Sequence, residues 1–599
     1  KVNINGGGLV TTGAQTFNQA LGVTSSTGTL QLGGAITASG SVTLSGDALQ
    51  VNSGTTLSTS GVGALTVQPT SASFSSGLSW PISNLSVATD ITGLTLGKSG
   101  NTADLTIGTN TSIAGPISLF GGAINMNANL TSTTTAGDIA ITGVAGLTGS
   151  GNISVADNRA LSVSQSGTSV YSGIMSGTGV SFTKGGTGSL TLTATETYTG
   201  TTTISGGTLQ LGNGGTSGAI GSGNVINSGV LAFNRSDAYS FDNLISGTGS
   251  VSKLAANTLT PTGANTYSGG TTVSGGTLTA GISSTGSITN GAFGTGLVTV
   301  QSGYTLDLNG FSLGNALNLS GAGIGSNGAL VNSSATAATD SGAITIASAT
   351  SIGGTGAMTL SGAISASTNA VSFVNGANVT ATNTANSIAT VSLTNSAAVL
   401  KTTAALTVNA SSLSGATTLQ TVAADKDITV SGAITNNTNG NTLTLMASRD
   451  ILVSVPISGA TNKSLTTKFY SDVDNTGGGG FKTTISTAAI STFGGDILIR
   501  GGTTDTTTGC AAAYSCIAGY ASYANGTTSK GIYLLAPLNA AGGNIGLYGL
   551  GNRVASTSGV GIELDYTGTV LTTSGSGTIT LEGTSTGANH AVNFVKGDV

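Results

Sequence analysis

Short runs in which apolar and polar residues alternate recur along the whole chain, and they constrain its fold more than any other feature. Residues 41–45 read Ser-Val-Thr-Leu-Ser, residues 189–193 read Ser-Leu-Thr-Leu-Thr, and residues 427–431 read Asp-Ile-Thr-Val-Ser. Such alternation places aliphatic side chains on one face of a strand and hydroxyls on the other. Gly, Asn, Asp and Ser separate the runs, as tight turns require. The sequence therefore predicts an all-β fold with little or no helix.

One long segment is repeated almost intact. Residues 184–212 return as residues 253–281, so that Tyr198 aligns with Tyr267 at an offset of 69. Three core positions of each copy are expected to point inward and to be equivalent in the two copies. They are Ile204, Leu209 and Leu211 in the first copy and Val273, Leu278 and Ala280 in the second.

A second series places Asp before Ile at the start of a strand, at Asp427, Asp450 and Asp496, with sequence gaps of 23 and 46. Because 69 is three times 23, one coil of about 23 residues accounts for both series. Repeats of this length, with β periodicity and no helix, indicate a solenoid in which each coil stacks on the previous one. A propeller is the alternative, but it needs four strands per blade and a longer repeat.

Composition narrows the class of partner. Charged residues make up 6% of the chain, against about 25% in an average globular domain, and the formal net charge is −5. The 16 Lys and Arg residues are scattered, so no nucleic-acid partner is expected. Hydrophobic residues reach 38%, a content that disordered chains lack. No uninterrupted apolar run of about 18 residues occurs, so no membrane span is expected in this segment.

Four stretches of the chain carry a family resemblance. Residues 176–212 closely resemble the passenger-associated repeat of Gram-negative autotransporters, and so does the copy that ends at Gly281, although Pro261 stands where the first copy has Leu192. Residues 6–18 and 427–502 are similar to large filamentous-haemagglutinin-like exoproteins. These resemblances imply a right-handed parallel β-helix that is secreted across the Gram-negative outer membrane and displayed at the cell surface as an adhesin.

The expected organisation is one continuous β-solenoid over residues 1–599. Within it we expect haemagglutinin-like coils over 1–165, two passenger-associated repeats over 166–285, irregular coils rich in Ala, Ser and Thr over 286–420, and Gly-Asp-Ile-type coils with a Cys-containing loop over 421–599. The chain begins with Lys1 and not with Met, so we expect an interior segment of a larger protein.

Catalysis is the main rival function, because many β-helix proteins cleave polysaccharides. Glycoside hydrolysis needs two carboxylates that face each other across the bond. Most of the 21 acidic residues stand alone before a strand, where turn formation and hydrogen bonds to main-chain amides explain them. His590 is the single histidine. We therefore expect no enzyme, no catalytic residues and no cofactor-binding residues.

One polar cluster is a candidate calcium site. Asp472, Asp474 and Asn475 precede four glycines and resemble the opening of a calcium-binding loop. The twelfth position of such a loop is Thr483 where Glu is required. The alternative is a polar turn between coils, so no cofactor is expected and calcium remains open.

Cys510 and Cys516 are the two cysteines of the chain. Their close spacing in one loop predicts a local disulfide and thus an oxidising compartment. The alternative is a pair of small buried hydrophobic residues.

The aromatic residues allow a contact surface or an internal stack. The residues concerned are Tyr198, Tyr267, Phe182, Phe233 and Phe241. Stacking inside the coil is the simpler interpretation.

These observations together predict a non-catalytic extracellular adhesin rod. The expected partner is a host or neighbouring-cell surface, a glycan or a matrix component. A first alternative is a self-associating subunit of an extracellular filament or biofilm fibre, which adds chains through open strand edges. A second is an ice-binding solenoid, which would need Thr at the same position on successive coils.

Overall fold

A computed structural model describes residues 2–6, 14–26, 28–61, 63–284, 288–473, 479–501, 528–550, 558–565, 567, 570–584 and 592–594. The chain divides into two compact units. Unit 1 comprises Lys1–Gly276 and Thr289–Gly296, and unit 2 comprises Thr277–Ile288 and Leu297–Val599.

The strands of unit 1 are short, mostly of three to five residues. They are β1 (Val2–Gly6), β2 (Gln15–Phe17), β3 (Leu21–Ser25), β4 (Thr29–Leu32), β5 (Ala35–Ala38), β6 (Val42–Ser45), β7 (Ala48–Val51), β8 (Thr55–Ser58), β9 (Leu65–Gln68), β10 (Leu78–Trp80), β11 (Leu85–Val87), β12 (Leu94–Leu96), β13 (Leu105–Ile107), β14 (Thr111–Ile113), β15 (Ile117–Met126), β16 (Leu130–Ser132), β17 (Ile139–Gly149), β18 (Ile153–Ser154), β19 (Ala160–Gln165), β20 (Thr168–Tyr171), β21 (Met175–Ser176), β22 (Ser181–Gly185), β23 (Ser189–Leu192), β24 (Thr202–Ile204), β25 (Thr208–Leu211), β26 (Val225–Asn227), β27 (Val230–Phe233), β28 (Tyr239–Phe241), β29 (Ile245–Ser246), β30 (Ser250–Lys253), β31 (Thr258–Pro261) and β32 (Thr271–Val273).

In its described residues, unit 2 has the same kind of strands and one 3-10 turn, Ile324–Ser326. Its strands are β33 (Thr277–Thr279), β34 (Val298–Val300), β35 (Thr305–Asp307), β36 (Leu317–Gly321), β37 (Leu330–Val331), β38 (Ala338–Asp340), β39 (Ile344–Gly353), β40 (Ala357–Leu360), β41 (Ile364–Ser365), β42 (Val371–Val374), β43 (Asn378–Ala381), β44 (Thr390–Thr402), β45 (Leu406–Val408), β46 (Ser411–Leu413), β47 (Thr417–Thr421), β48 (Ile428–Val430), β49 (Ile434–Asn436), β50 (Asn441–Met446), β51 (Ile451–Val453), β52 (Ile457–Gly459), β53 (Leu465–Ser471), β54 (Phe481–Thr483), β55 (Ile490–Ser491), β56 (Ile497–Gly501), β57 (Thr528–Leu534), β58 (Leu538–Asn539), β59 (Ile545–Leu550), β60 (Ser558–Leu564), β61 (Leu571–Thr572), β62 (Ile579–Thr584) and β63 (Val592–Phe594).

Strands pair in parallel with the strands one coil earlier and one coil later. Leu209 of β25, for example, lies between Leu190 of β23 and Leu231 of β27. The prediction of an all-β parallel solenoid is confirmed, with roughly 22 residues per turn, close to the predicted length. The number of turns is about 20, fewer than the chain length and the predicted coil suggest, because some coils carry insertions. Right-handed coiling stays a prediction.

Among the described residues no α-helix occurs. None of the described helical segments has the length and apolar character needed to cross a membrane.

The core lies inside the coil, where the alternating apolar side chains meet. In β25, Leu209 and Leu211 are fully buried while Thr208 and Gln210 are partly exposed. The other predicted core positions, Ile204, Val273, Leu278 and Ala280, are also fully buried. Each strand therefore contributes its aliphatic face to the interior and its hydroxyl face to the outside.

Glycines in the turns allow successive coils to approach closely. A Cβ atom at Gly188 would collide with the carbonyl oxygen of Gly167, and one at Gly207 would collide with that of Gly188. Gly207 also has a φ of +62°, a conformation that favours glycine. This column explains why Gly-Gly recurs before a Thr-Leu strand.

The predicted equivalence of the two repeat copies is wrong in one respect. The three coils that follow Leu209 place Leu231, Val251 and then Thr271 on the same ladder. Three coils from Leu209 thus lead to Thr271 and not to Leu278, because the coils here are shorter than predicted.

The second copy therefore starts on a different face. Val273 pairs with Lys253, which pairs with Phe233 and thus belongs to the ladder of Leu211. Ile204 lies on another ladder, between Lys184 and Asn227.

The coil spacing predicted from the Asp series is correct between Asp427 and Asp450 and wrong between Asp450 and Asp496. Ile428 pairs with Ile451, so that Asp427 and Asp450 precede equivalent strands. Ile497, after Asp496, pairs with Thr467, whereas Ile451 pairs with Phe481 on a separate ladder. The coil between Ile451 and Phe481 is longer than the predicted coil, which moves the third Asp to another face.

We predict that Leu209→Asp melts its own coil locally, because a charge without a partner replaces a fully buried side chain. Burial of a Leu side chain contributes about 1.5–3 kcal/mol. Limited proteolysis should reveal new cleavage near residue 209, since each coil contacts mainly its neighbours. The matched control is Thr208→Asp, which places the same charge outward and should leave the digestion pattern unchanged. Equal cleavage of both variants would show that the inward and outward assignment is wrong.

Candidate functional site

Each repeat copy holds a tyrosine inside the coil in the same way. Tyr198 is fully buried and its hydroxyl lies 2.6 Å from Oγ1 of Thr202. Tyr267 repeats this contact with Thr271, also at 2.6 Å. Burial raises the pKa of both phenols, so the tyrosines stay neutral and act as internal anchors.

The phenylalanines named in the sequence are interior as well. The Phe182 ring lies 5.7 Å from that of Tyr198, and the Phe233 ring lies 4.9 Å from that of Phe241. All of them are buried. In these coils the aromatic side chains build the core and not an outer contact surface.

Two lysines at the start of the repeat copies are fully buried. The Nζ atom of Lys184 donates to the carbonyl oxygens of Gly185 and Gly188, at 2.8 and 2.9 Å. The Nζ atom of Lys253 donates to Oδ1 of Asn257, at 2.6 Å, and to the carbonyl oxygen of Ala255. Burial lowers the pKa of both, that of Lys253 to about 8. Each lysine thus closes the turn that follows it, a role that sequence reasoning missed although Lys stands at the head of both copies.

Glu196 occupies a buried corner in the first copy. Its Oε2 atom accepts a hydrogen bond from the main-chain N–H of Met175, at 2.5 Å, and its Oε1 atom has no partner. Burial raises the pKa of this carboxyl to about 8, although the Met175 N–H acts in the opposite direction. Tyr171 and Tyr198 are the titratable groups that face it.

Asn265 stands at the corresponding corner of the second copy. Its Oδ1 atom accepts from the N–H of Ile245, at 2.8 Å, and its Nδ2 atom donates to the carbonyl oxygen of Ala292, at 2.9 Å. The amide thus links its own coil to the coils on both sides. A carboxyl at this corner can only imitate that double link when it is protonated.

Two further buried acids lie in turns, and the second of them, Asp450, also lies 3.6 Å from the Nε atom of Arg449. Asp340 accepts from the N–H of Gly342, at 3.3 Å, and Asp450 accepts from the N–H of Gly480, at 2.8 Å. Burial raises the pKa of each to about 7. Their contacts are those of turn-forming residues.

Several predicted site residues fall partly or wholly outside the described residues. Of the calcium candidates, Asp472 is described and buried, while Asp474 and Asn475 lie outside the described residues. Cys510, Cys516 and His590 lie outside them too, so the disulfide stays a prediction. In the part of the chain that is described, no group of three or more His, Cys, Asp or Glu side chains could hold a metal ion.

One face of unit 1 presents a column of hydroxyl side chains, called here the hydroxyl rank. Its members are outward residues of successive coils that pair in register, namely Thr43, Thr66, Thr95, Ser118, Ser162, Thr183, Thr203 and Ser246, with Ala140 between Ser118 and Ser162 and Ile226 before Ser246. Members on adjacent coils are about 4.8 Å apart, the spacing of strands in a sheet. The rank is an uncharged surface whose hydrogen-bonding groups follow this spacing except at Ala140 and Ile226.

Unit 2 presents a different outward column. Leu452, Lys482, Tyr533 and Glu563 pair in register on successive coils. The Lys482 Nζ atom lies 5.4 Å from the centre of the Tyr533 ring, within the range of a cation–π contact. Glu563 is buried, whereas Lys482 and Tyr533 are partly exposed. This column therefore adds a charged and an aromatic side chain to the surface, unlike the hydroxyl rank.

Comparison with known proteins supports the repeat segments. A family model, the passenger-associated-transport-repeat, matches residues 182–211 and 256–280. The predicted resemblance to autotransporter passenger repeats is thereby confirmed for these two segments, which hold the buried tyrosines. No curated protein and no solved structure matches the chain.

We predict that Glu196→Gln removes a pH-dependent loss of stability. The folded carboxyl has a pKa of about 8, above its ordinary value of 4.5. The folded state therefore holds the proton more tightly, and stability falls as the pH rises from about 4.5 to about 8. The free energies of unfolding of the wild type and the variant, measured with denaturant, should coincide near pH 4. Near pH 9 the variant should be more stable by a few kcal/mol, because a pKa difference of one corresponds to ~1.4 kcal/mol.

The control for this prediction is Asp157→Asn, at an exposed acid two coils earlier. It should leave the pH dependence unchanged. Parallel curves for the wild type and Glu196→Gln between pH 4 and 9 would refute the assignment of the buried, protonated carboxyl.

Proposed function

We propose, from the two passenger-associated-transport-repeats that the solenoid carries, that this chain is a non-catalytic part of the passenger of a secreted bacterial surface adhesin. The proposed location is extracellular, at the surface of a Gram-negative cell, after export across the outer membrane. The repeat match carries this proposal, because such repeats are named for passenger transport.

The hydroxyl rank supports a role in contact. The hydroxyl groups of this row can donate and accept hydrogen bonds at every coil that it crosses except those of Ala140 and Ile226. Each such bond contributes only about 0.5–1.5 kcal/mol, but contacts repeated along one face add up through avidity. A polymer with regularly spaced hydroxyl groups, such as a surface glycan or a matrix polysaccharide, fits this surface best.

The proposal excludes a catalytic role. Glycosidic cleavage needs carboxylates that converge on one bond. The buried acids Glu196, Asp340 and Asp450 each hold a main-chain N–H group at a separate corner. This arrangement supports a structural role for the acids, and no cofactor is proposed.

A self-associating filament subunit is the alternative. Lateral association of solenoids favours a continuous apolar outer face. In the described part of unit 1 the exposed large apolar side chains are scattered over the coils, at Val144, Val170, Ile174, Ile226 and Leu254. That scatter favours the contact role over the filament.

Ice binding is the other alternative. It needs a uniform array of Thr on successive coils. The hydroxyl rank mixes Thr with Ser and is interrupted by Ala140 and Ile226. The mixture of Thr and Ser in the rank therefore favours a partner that forms hydrogen bonds with either kind of hydroxyl group, and it does not favour an ice surface.

We predict that the purified chain binds host cells, matrix proteins or members of a glycan array, and that Thr95→Asp combined with Thr183→Asp weakens this binding about tenfold or more. The two charges require desolvation in the contact, and the two sites are far enough apart along the rank to avoid repelling each other. The measurement is binding of labelled protein to the array and to immobilised cells or matrix.

The matched control is Thr106→Asp combined with Thr131→Asp, which places two charges outward on other faces of the same unit. This control should bind like the wild type. Absence of binding to every surface, or equal loss in both double variants, would contradict the proposal.

Calcium is tested separately. We predict that a chelator leaves thermal unfolding nearly unchanged, because the loop that begins at Asp472 has Thr483 at the position where a calcium loop needs Glu. A large stabilisation by millimolar calcium that disappears in Asp474→Ala would show instead that the cluster is a metal site.

A further inference from the structure

One coil of unit 1 is longer than its neighbours, and its strands do not all pair with the next coil. Leu65 of β9 pairs with Leu94 of β12, a longer step along the chain than the step from Val42 to its own partner Leu65. The residues between Leu65 and Leu94 form β10 and β11. The following coil contributes β13 and β14.

The two coils are joined on both sides of β11. On one side β10 pairs with β13, and the N–H of Gly108 donates to the carbonyl oxygen of Trp80, at 2.8 Å. On the other side β12 pairs with β15, and the N–H of Leu94 donates to the carbonyl oxygen of Pro116, at 2.9 Å. Between these points the coils separate.

In that gap, β11 and β14 are each the end of a sheet. β11 is the last strand of the four-stranded sheet β11–β8–β5–β2, and β14 is the first strand of the four-stranded sheet β14–β16–β18–β21. On every other coil of these sheets the corresponding strands pair directly. Here two open strand edges face each other across one interruption.

The direction of the main-chain groups follows from the bonds that each strand makes. The N–H of Ala88 donates to the carbonyl oxygen of Leu57 in β8, at 2.8 Å. Because the groups of successive residues alternate in direction, those of Val87 point away from β8 and into the gap. No protein partner for them occurs in this fully described stretch.

The same alternation holds on the opposite edge. The N–H of Thr111 donates to the carbonyl oxygen of Asn129, at 2.8 Å, and the carbonyl oxygen of Ile113 accepts from Thr133, at 3.0 Å. The main-chain groups of Ser112 therefore point into the gap, toward β11. Open donors and acceptors thus line both sides.

The gap is a cleft of about 340 Å³. Its walls include Trp80, Leu85, Val87, Ile91, Thr111 and Ile113, and none of its lining residues carries a charge. Neither β11 (Leu-Ser-Val) nor β14 (Thr-Ser-Ile) contains the Lys or Pro with which natural proteins usually protect an edge. The edges are uncharged, open and unprotected, and hydroxyl and amide side chains line the cleft beside the apolar ones.

We propose that this cleft binds a short extended peptide segment of a partner protein, which inserts as an additional strand between β11 and β14. Main-chain bonds to two flanking edges supply affinity, as in other cases of strand addition. A strand of three residues is about 10 Å long and needs about 4.8 Å from each neighbour. The uncharged walls select a segment with small apolar and hydroxyl side chains.

The geometry also decides among occupants. In a second folded copy most coil strands are already paired on both sides, as Leu209 is between Leu190 and Leu231, and its own open edges, such as β11 and β14, are held within folded coils. A glycan would leave the aligned main-chain groups of Val87 and Ser112 poorly matched. A flexible, extended peptide satisfies both edges at once, and because the coils close on either side of the cleft it must bend outward at its ends.

The test uses the full chain and a fluorescein-labelled peptide, Gly-Ser-Val-Thr-Leu-Ser-Gly, which copies residues 40–46. We expect saturable binding by fluorescence anisotropy, together with slower hydrogen exchange at the amides of Val87 and Ser112. Ser112→Pro removes one edge donor without touching the bond from Thr111 to Asn129, and proline is tolerated on an edge. Loss of the main-chain donor at residue 112 should weaken peptide binding about tenfold.

Two controls separate the peptide contact from general effects. Ser112→Ala keeps the main-chain N–H and should bind as the wild type does. A peptide with proline in place of its central threonine should not bind, a result that needs no change in the protein. The proposal is overturned if no saturable binding occurs up to millimolar peptide, or if Ser112→Pro binds the peptide like the wild type. It is also overturned if the amides of Val87 and Ser112 become protected only by a glycan, or only as protein concentration rises.

Discussion

The fold depends on main-chain hydrogen bonds between successive coils. Each strand donates to and accepts from the strands one coil before and after, so no strand is stable without its neighbours. In-register stacking follows, because the repeated bonds align equivalent residues such as Leu209 and Leu231. Any polar side chain enclosed by the coil must then find a partner inside it. The buried Lys184 and Asn265 meet this demand at corners where the strand bonds stop, and Glu196 meets it through one of its two oxygens.

The strands and their inward faces could be predicted because alternation is a local property. Leu209 and Thr208 differ in burial as the pattern requires. The coil register could not be predicted from the repeat, since strands on all faces carry the same alternation. The offset between the two repeat copies therefore need not be a whole number of coils, and Val273 belongs to the ladder of Leu211 and not to that of Ile204. Corner lengths, which the pattern does not encode, decide the register.

The candidate surfaces were less predictable for the same reason. A hydroxyl rank exists only when the register is known, because Thr95 and Ser118 are distant in sequence and adjacent in space. The buried lysines were missed because Lys is almost never fully buried unless it is paired. Lys184 is the exception since a glycine-rich turn offers several carbonyl oxygens to one ammonium group. The signal was present in the sequence as Lys before Gly-Gly, but its meaning depends on the turn geometry.

At the cleft beside β11, two successive coils are not joined by main-chain hydrogen bonds. The long coil between Leu65 and Leu94 keeps its pairing on two faces, which is enough to continue the solenoid. On the third face β11 and β14 do not pair, so Val87 and Ser112 lie opposite each other without a shared bond. Because the same unpaired groups elsewhere join coil to coil, they retain the geometry to accept a strand. A solenoid can thus offer a peptide site where two successive coils stay unpaired on one face, without changing the core that stabilises its other coils.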